Sequence, residues 1–130
     1  MEYAELVEQA KQAMAGAYAP YSGFQVGAAL LCADGTVYTG CNIENASFSP
    51  TICAERTAFA KAISEGKRAF TAIAVCGGKD GVITGPCPPC GVCRQVMAEF
   101  CPPEFLVLLV TPRGCEERTL SQLLPDSFGL

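Results

Sequence analysis

The sequence predicts an α/β layered domain in which one mixed β-sheet is flanked by helices. Three observations carry this expectation. Apolar residues at helical spacing open the chain. Two strand-like runs follow, joined by Asp34-Gly35. A β-α-β succession then occupies residues 71–110. The 130 residues are one domain's worth of chain, half of them hydrophobic and 17% charged, which suits an ordinary packed core. A chain of this order buries roughly two-thirds of its unfolded surface, so no covalent staple is required.

The elements follow in order. Tyr3, Leu6, Val7, Ala10, Ala13 and Met14 recur on one face, predicting an amphipathic helix over 3–15. Ala19-Pro20-Tyr21-Ser22-Gly23 breaks it. Phe24–Leu31 and Val37–Asn42 read as strands of a hairpin. Ser49-Pro50 predicts a helix start, with serine as cap and proline at the first helical position. Ile52, Phe59 and Ile63 then share one helical face, and the helix ends near Gly66. Thr71–Cys76 is the first strand of the β-α-β unit, closed by Gly77-Gly78. A helix over 91–100 and an uninterrupted apolar strand over 105–110 complete the unit. Such an uninterrupted strand suits a parallel position buried on both faces. Arg113-Gly114 marks a turn, with a short strand near 116–118 and a helical turn near 120–124.

Several function classes are disfavoured at once. The net charge is −4, the isoelectric point is near 4.7, and no block of Lys and Arg occurs, which argues against duplex nucleic acid as partner. The longest apolar run, Phe105–Val110, falls far short of the roughly 20 residues of a membrane span. The opening Met1-Glu2-Tyr3-Ala4-Glu5 is acidic and lacks the basic and apolar regions of a secretory signal, so a cytoplasmic location is expected. Nine cysteines then point to reduced or metal-bound thiols rather than a disulfide framework. There is no histidine. A transition-metal site must therefore use thiolates or carboxylates, and no imidazole can serve as general base.

The informative constellation is Cys53-Ala54-Glu55 at one helix start and Pro89-Cys90-Gly91-Val92-Cys93 at another. Cys90 and Cys93 can hold a metal from two points of a helix N-terminus, and Cys53 supplies a third thiolate. Three protein ligands leave a tetrahedral zinc with one open position, the arrangement for catalysis. Cys53 and Glu55 do not share a helical face, but side chains tilting toward the N-terminus can converge beyond it. Arg56, three residues after Cys53, does share its side. Three thiolates and Zn²⁺ sum to −1, and Arg56 together with two helix N-termini offsets that excess. Other readings exist for each part alone. A Cys-x-x-Cys pair also suits redox chemistry. A glutamate in a first helical turn also suits the helix dipole. Cys32, Cys41, Cys76 and Cys115, on strands, read as small core hydrophobes.

A three-cysteine set with a non-ligand glutamate and a Pro-Cys-x-x-Cys run resembles the zinc nucleoside deaminases. Further runs resemble the small homotetrameric cytidine deaminases: Tyr21-Ser22-Gly23-Phe24-Gln25-Val26-Gly27-Ala28-Ala29, Gly40-Cys41-Asn42-Ile43-Glu44-Asn45-Ala46-Ser47, Cys53-Ala54-Glu55-Arg56-Thr57-Ala58, Pro89-Cys90-Gly91-Val92-Cys93-Arg94-Gln95 and Leu124-Pro125-Asp126-Ser127-Phe128-Gly129. The resemblance covers nearly the whole chain as a single domain, 1–130. It implies a three-layer sandwich with about five strands, one zinc per chain and hydrolytic deamination of cytidine and deoxycytidine in pyrimidine salvage. It also implies a homotetramer with active sites shared between subunits.

By the same resemblance Cys53, Cys90 and Cys93 are the zinc ligands and Glu55 moves the protons. Asn42 and Glu44 hold the ribose, and as i and i+2 of a strand they face one way. Phe24 packs on the pyrimidine, the backbone around Ala54 bonds the base carbonyl, and Phe128 closes a neighbour's pocket. Two departures stand out. Phe48 occupies a position where the family often has tyrosine, so any hydrogen bond from that hydroxyl is missing. Pro86-Cys87-Pro88-Pro89-Cys90-Gly91-Val92-Cys93 contains two overlapping frames, so Cys87 is formally eligible as a ligand. Arg94-Gln95 fits the family only in the Cys90–Cys93 frame, and Pro88-Pro89 have no amide protons to give sulfur. The rival readings are a deaminase of a modified cytosine nucleoside of the blasticidin type and a non-catalytic zinc or redox module.

Overall fold

A computed structural model describes residues 3–130; Met1 and Glu2, and with them part of the N-terminal reading, lie outside the described residues. The elements are α1 (Tyr3–Ala13), a 3₁₀ turn (Met14–Gly16), β1 (Phe24–Cys32), β2 (Val37–Cys41), α2 (Ala54–Ser64), β3 (Phe70–Lys79), α3 (Gly91–Phe100), β4 (Leu106–Thr111), β5 (Gly114–Thr119) and α4 (Leu120–Leu123). The sheet has five strands in the order β2-β1-β3-β4-β5. Only β3 and β4 run parallel; the other neighbours are antiparallel. This is the mixed, helix-flanked sheet that the sequence predicts. Among the described residues no helix is long and apolar enough to cross a membrane.

The alternation of the strands sorts the core into two layers. On one face Ala29 and Leu31 of β1, Ala72, Ala74 and Cys76 of β3, and Leu108 and Val110 of β4 pack under Leu6, Ala10 and Met14. On the other, Ala28, Leu30, Ile73, Val75, Val107 and Leu109 pack under Phe59 and its neighbours in α2 and under Cys93 and Met97 in α3. Both helical layers press close at glycines. A Cβ at Gly27 would lie 2.2 Å from the Ala10 carbonyl oxygen, and one at Gly40 would lie 2.3 Å from that of Ala54. Gly40 thus lets the first turn of α2 rest directly on β2.

Four expectations need correction. The helix expected from Ser49-Pro50 begins at Ala54, with Cys53 as its cap residue. The chain before it is held otherwise: Ile43 and Ile52 exchange both backbone hydrogen bonds at 3.0 Å, and Thr51 N–H donates to the Phe48 carbonyl at 3.0 Å. Ile52 accordingly lies outside the helix whose face it was expected to share. Gly77-Gly78 does not close β3, because these residues pair with Val26 and Gln25 and the strand runs on to Lys79. The strand expected to reach Asn42 ends at Cys41. Cys32 and Cys76 are buried as expected, but Cys41 is half-buried and Cys115 is exposed on edge strand β5.

Candidate active site

Two helix N-termini meet where β1 begins and β2 and β3 end. Each is capped by a cysteine in extended conformation, Cys53 (φ −77°, ψ 156°) for α2 and Cys90 (φ −69°, ψ 169°) for α3. Neither thiol caps its own helix, which leaves both sulfurs to face the space between. The approach to each cap is rigid for a local reason. Ile52 is pinned to Ile43, and Thr57 Oγ1 ties the first turn of α2 to the Cys41 carbonyl at 3.1 Å. Pro88-Pro89 enforce an extended entry to α3. Arg94 then anchors that entry through Nε to the Pro89 carbonyl at 2.7 Å and Nη1 to the Leu123 carbonyl at 2.6 Å.

The sulfurs of Cys53, Cys90 and Cys93 lie within 4.8 Å of one another, with 3.6 Å from Cys90 to each of the other two. Tetrahedral zinc at its usual 2.3 Å bond length wants sulfurs about 3.8 Å apart. All three cysteines are free rather than disulfide-bonded. Arg56 Nη2 donates to Cys53 Sγ at 3.6 Å, while its buried Nε has no partner. An orphaned guanidinium N–H beside three sulfurs fits a site that carries excess negative charge once a metal draws off the thiol protons. On spacing, donor chemistry and this buried donor, the residues fit zinc. Cys87 is not part of the cluster.

Cys53 and Cys93 are strongly perturbed. The neighbouring Cys93 thiol, followed by the Arg56 guanidinium, holds Cys53 down at about 5. Cys93 moves the opposite way, because Cys53 beside it holds the charge and because it is buried. Glu55 is 3% exposed. Burial pushes its carboxyl up to about 7, and the charge on Cys53 adds to the rise.

A cleft of about 170 Å³ opens over this cluster. Cys53 and Glu55 line it from α2, Cys87, Pro88 and Cys90 from the entry to α3, and Val26, Asn42 and Glu44 from the sheet end. Asn42 and Glu44 do not share a strand face, because β2 has already ended. Asn42 turns inward instead. Its Oδ1 accepts from Val26 N–H at 2.8 Å and its Nδ2 donates to the Phe24 carbonyl at 2.9 Å. Glu44 is held by the Tyr21 and Ser22 N–H groups at 3.0 and 3.1 Å and by the Ser22 hydroxyl at 2.5 Å. Those bonds keep its carboxyl below the usual carboxylate range.

Ala54, the first residue of α2, is fully buried. The Phe24 ring and the Cys87 sulfur share the space above Gly77, where an added Cβ would lie 2.8 Å from the ring and 3.0 Å from the sulfur. Phe48 and Phe128 do not line the cleft. Phe48 is 89% exposed, beside an adjoining hollow that shares Glu44 and Thr51 with the cleft. Phe128 is 73% exposed on the outer side of α3, its carbonyl accepting from Gln95 Nε2 at 3.4 Å. Cleft residues that the sequence did not single out are Val26, Thr51, Ile52 and Pro88. Thr51 and Ile52 were hidden by the misplaced helix start.

A three-thiolate cradle at two helix N-termini, with a buried carboxyl in the same cleft, is the equipment of a metal-assisted hydrolase. The comparisons narrow the class. Residues 1–109 match the family described as the cytidine and deoxycytidylate deaminase zinc-binding region. The chain is 52% identical over 129 residues to a cytidine deaminase of Sporosarcina psychrophila, covering 98% of this chain and 92% of the relative. It is similar in structure to a crystallised cytidine deaminase of Burkholderia pseudomallei, with TM-score 0.90 and 47% identity over 98% of this chain and all of that one. A cytidine deaminase structure from Mycobacterium tuberculosis gives TM-score 0.83 at 44% identity, covering all of this chain and 99% of that one. The chain belongs to the cytidine and deoxycytidylate deaminase family.

Proposed function

We propose the following division of labour for zinc-dependent deamination of cytidine and deoxycytidine, which gives uridine or deoxyuridine and ammonia. The observation that carries it is the convergence of Cys53, Cys90, Cys93 and the buried Glu55 on one cleft. Cys53, Cys90 and Cys93 hold one zinc ion. When bound, zinc supplies the Lewis acidity that makes water a nucleophile near neutral pH. Arg56 donates to the ligand sulfurs and offsets their charge.

Glu55 accepts one proton of the attacking water and delivers it to N3 as C4 is attacked, then takes the second from the new C4 hydroxyl and passes it to the amine, so that C4 becomes a carbonyl and ammonia leaves. A buried carboxyl beside the reacting atoms can take and give protons in turn. The Ala54 N–H, at a helix start, bonds the base carbonyl, and Phe24 packs on the ring. Asn42 and Glu44 take the sugar hydroxyls. Asn42 retains one amide N–H, and Glu44 is kept ionised as an acceptor. A plain cytosine nucleoside is favoured over the blasticidin type by relatives described as cytidine deaminases, and a non-catalytic module leaves the buried Glu55 without a role.

The chain acts as one domain over residues 1–130 and works as a homotetramer in which Phe128 roofs a neighbour's cleft. One feature supports this: Phe128 is exposed with no contact on its own cleft. Dihedral symmetry suits four copies. Nine unlinked thiols suit a reducing cytoplasm, and the reaction serves pyrimidine salvage. Purified protein should carry about one zinc per chain and convert cytidine with loss of ultraviolet absorbance. Metal-loaded protein that leaves cytidine unchanged would remove the reading.

A further inference from the structure

The thiol of Cys87 is unused by the mechanism above, yet it lines the same cleft as Glu55. Glu55, 3% exposed and with its carboxyl in the cleft, shows that a ligand is expected there. The chemistry fixes which ring edge meets which wall. Attack occurs at C4, and Glu55 must reach N3 on one side of C4, so N3 lies toward α2. The carbon on the other side of C4 is C5, which faces away from α2; the sheet end carries the residues read for the sugar, Asn42 and Glu44, so C5 falls to the third wall. That wall is the entry to α3, where Cys87 and Pro88 face the cleft. The Cys87 sulfur packs over Gly77 beside the Phe24 ring, since a Cβ added at Gly77 would lie 3.0 Å from the sulfur and 2.8 Å from the ring.

We infer that Cys87 is a specificity-determining residue of the base cleft, a neutral thiol that borders the C5 edge of the pyrimidine and sets how large a C5 substituent the enzyme accepts. This rests on the deaminase reading of the cleft. A thiol is smaller than a branched aliphatic side chain and polarisable, so it leaves room for a compact group and makes favourable contact with a soft one. Its position against Phe24 links the room at C5 to the ring expected to pack on the base. Pro88-Pro89 keep the wall from swinging aside.

The test compares kcat/KM for 5-bromocytidine and 5-methylcytidine with that for cytidine in wild type, Cys87→Ala and Cys87→Leu, with zinc content as the control for an intact cradle. Removing the sulfur should raise the preference for the substituted nucleosides about tenfold, and the leucine should lower it by at least as much, the range expected for one methyl-sized group in a tight pocket. Inhibition by 5-bromouridine against uridine gives the same ratio if turnover in a variant is too weak to measure. Ratios within twofold of wild type in both zinc-loaded variants overturn the assignment. Wild-type protein that does not deaminate cytidine at all overturns the deaminase reading instead, a result separable from the first.

Discussion

The two ends of the cleft are built differently. At the metal end Cys93 is 1% exposed and Glu55 3%, and helix caps, paired isoleucines and two prolines fix every approach within one chain. At the sugar end Glu44 is gripped by the exposed Tyr21–Ser22 loop and Tyr21 is 65% exposed, while Phe128, expected to cover a neighbour's ligand, is itself 73% exposed. The difference teaches where rigidity is needed. Proton transfer tolerates little error in position and is assembled before the substrate arrives. Binding surface can be completed later, and the proposed tetramer would do so with another copy of the chain.

The comparison can be broken most easily at the metal end. Cys93→Ala should abolish zinc binding and turnover together, whereas Cys87→Ala should keep its zinc; metal analysis giving the reverse would move the cradle to the other Cys-x-x-Cys frame. Next in size is Glu55→Gln. It should retain zinc and melt like wild type but lose at least 10²–10⁴-fold in kcat, roughly the range for a general acid–base group. Near-normal turnover would remove Glu55 from the chemistry.

The sugar end should respond in KM. Glu44→Gln gives up charge-assisted bonds of about 1.5–3 kcal/mol, so KM for cytidine should rise roughly ten- to a hundredfold with zinc content intact; an unchanged KM would detach Glu44 from the sugar.

The smallest effect is expected outside both regions, at the hairpin turn. The hydrogen bond from Lys67, at 2.8 Å, holds the Asp34 carboxyl far below the usual range. A depressed carboxyl stabilises the fold above its ordinary pKa and loses that contribution as pH falls through its folded value. The pair is exposed to solvent and so contributes little. Asp34→Asn should lower the melting temperature slightly at pH 7, by less at pH 3, and leave kcat/KM unchanged. A large fall at neutral pH would mean that the pair matters more than an exposed one should.

Much of this was legible in the sequence because it is local. The two cysteine clusters lie at helix starts, the Asp34-Gly35 hairpin needs no tertiary partner, and α3 matches the expected 91–100. What was missed depends on distant partners. Ser49-Pro50 carries good capping chemistry, but Ile52 pairs with Ile43 across the cleft and postpones the helix to Ala54. Gly77-Gly78 looks like a strand end, yet β1 pairs with both residues and holds them in the sheet. Asn42 and Glu44 both line the cleft, but not as neighbours on one strand face. They reach it from irregular chain beyond β2, through bonds to β1 and to the Tyr21–Ser22 loop.

The claim that one end is self-sufficient and the other borrowed can be tested by mixing subunits. Chains lacking Ser127–Leu130 keep Glu55 but should show a raised KM, with zinc intact. Chains carrying Glu55→Gln keep Phe128 but should not turn over. If Phe128 serves a neighbour, unfolding and refolding the two together should pair competent clefts with intact tails and restore turnover at the wild-type KM. A mixture that retains the high KM of the truncated chain, or sedimentation showing a fully active monomer, would contradict the shared site.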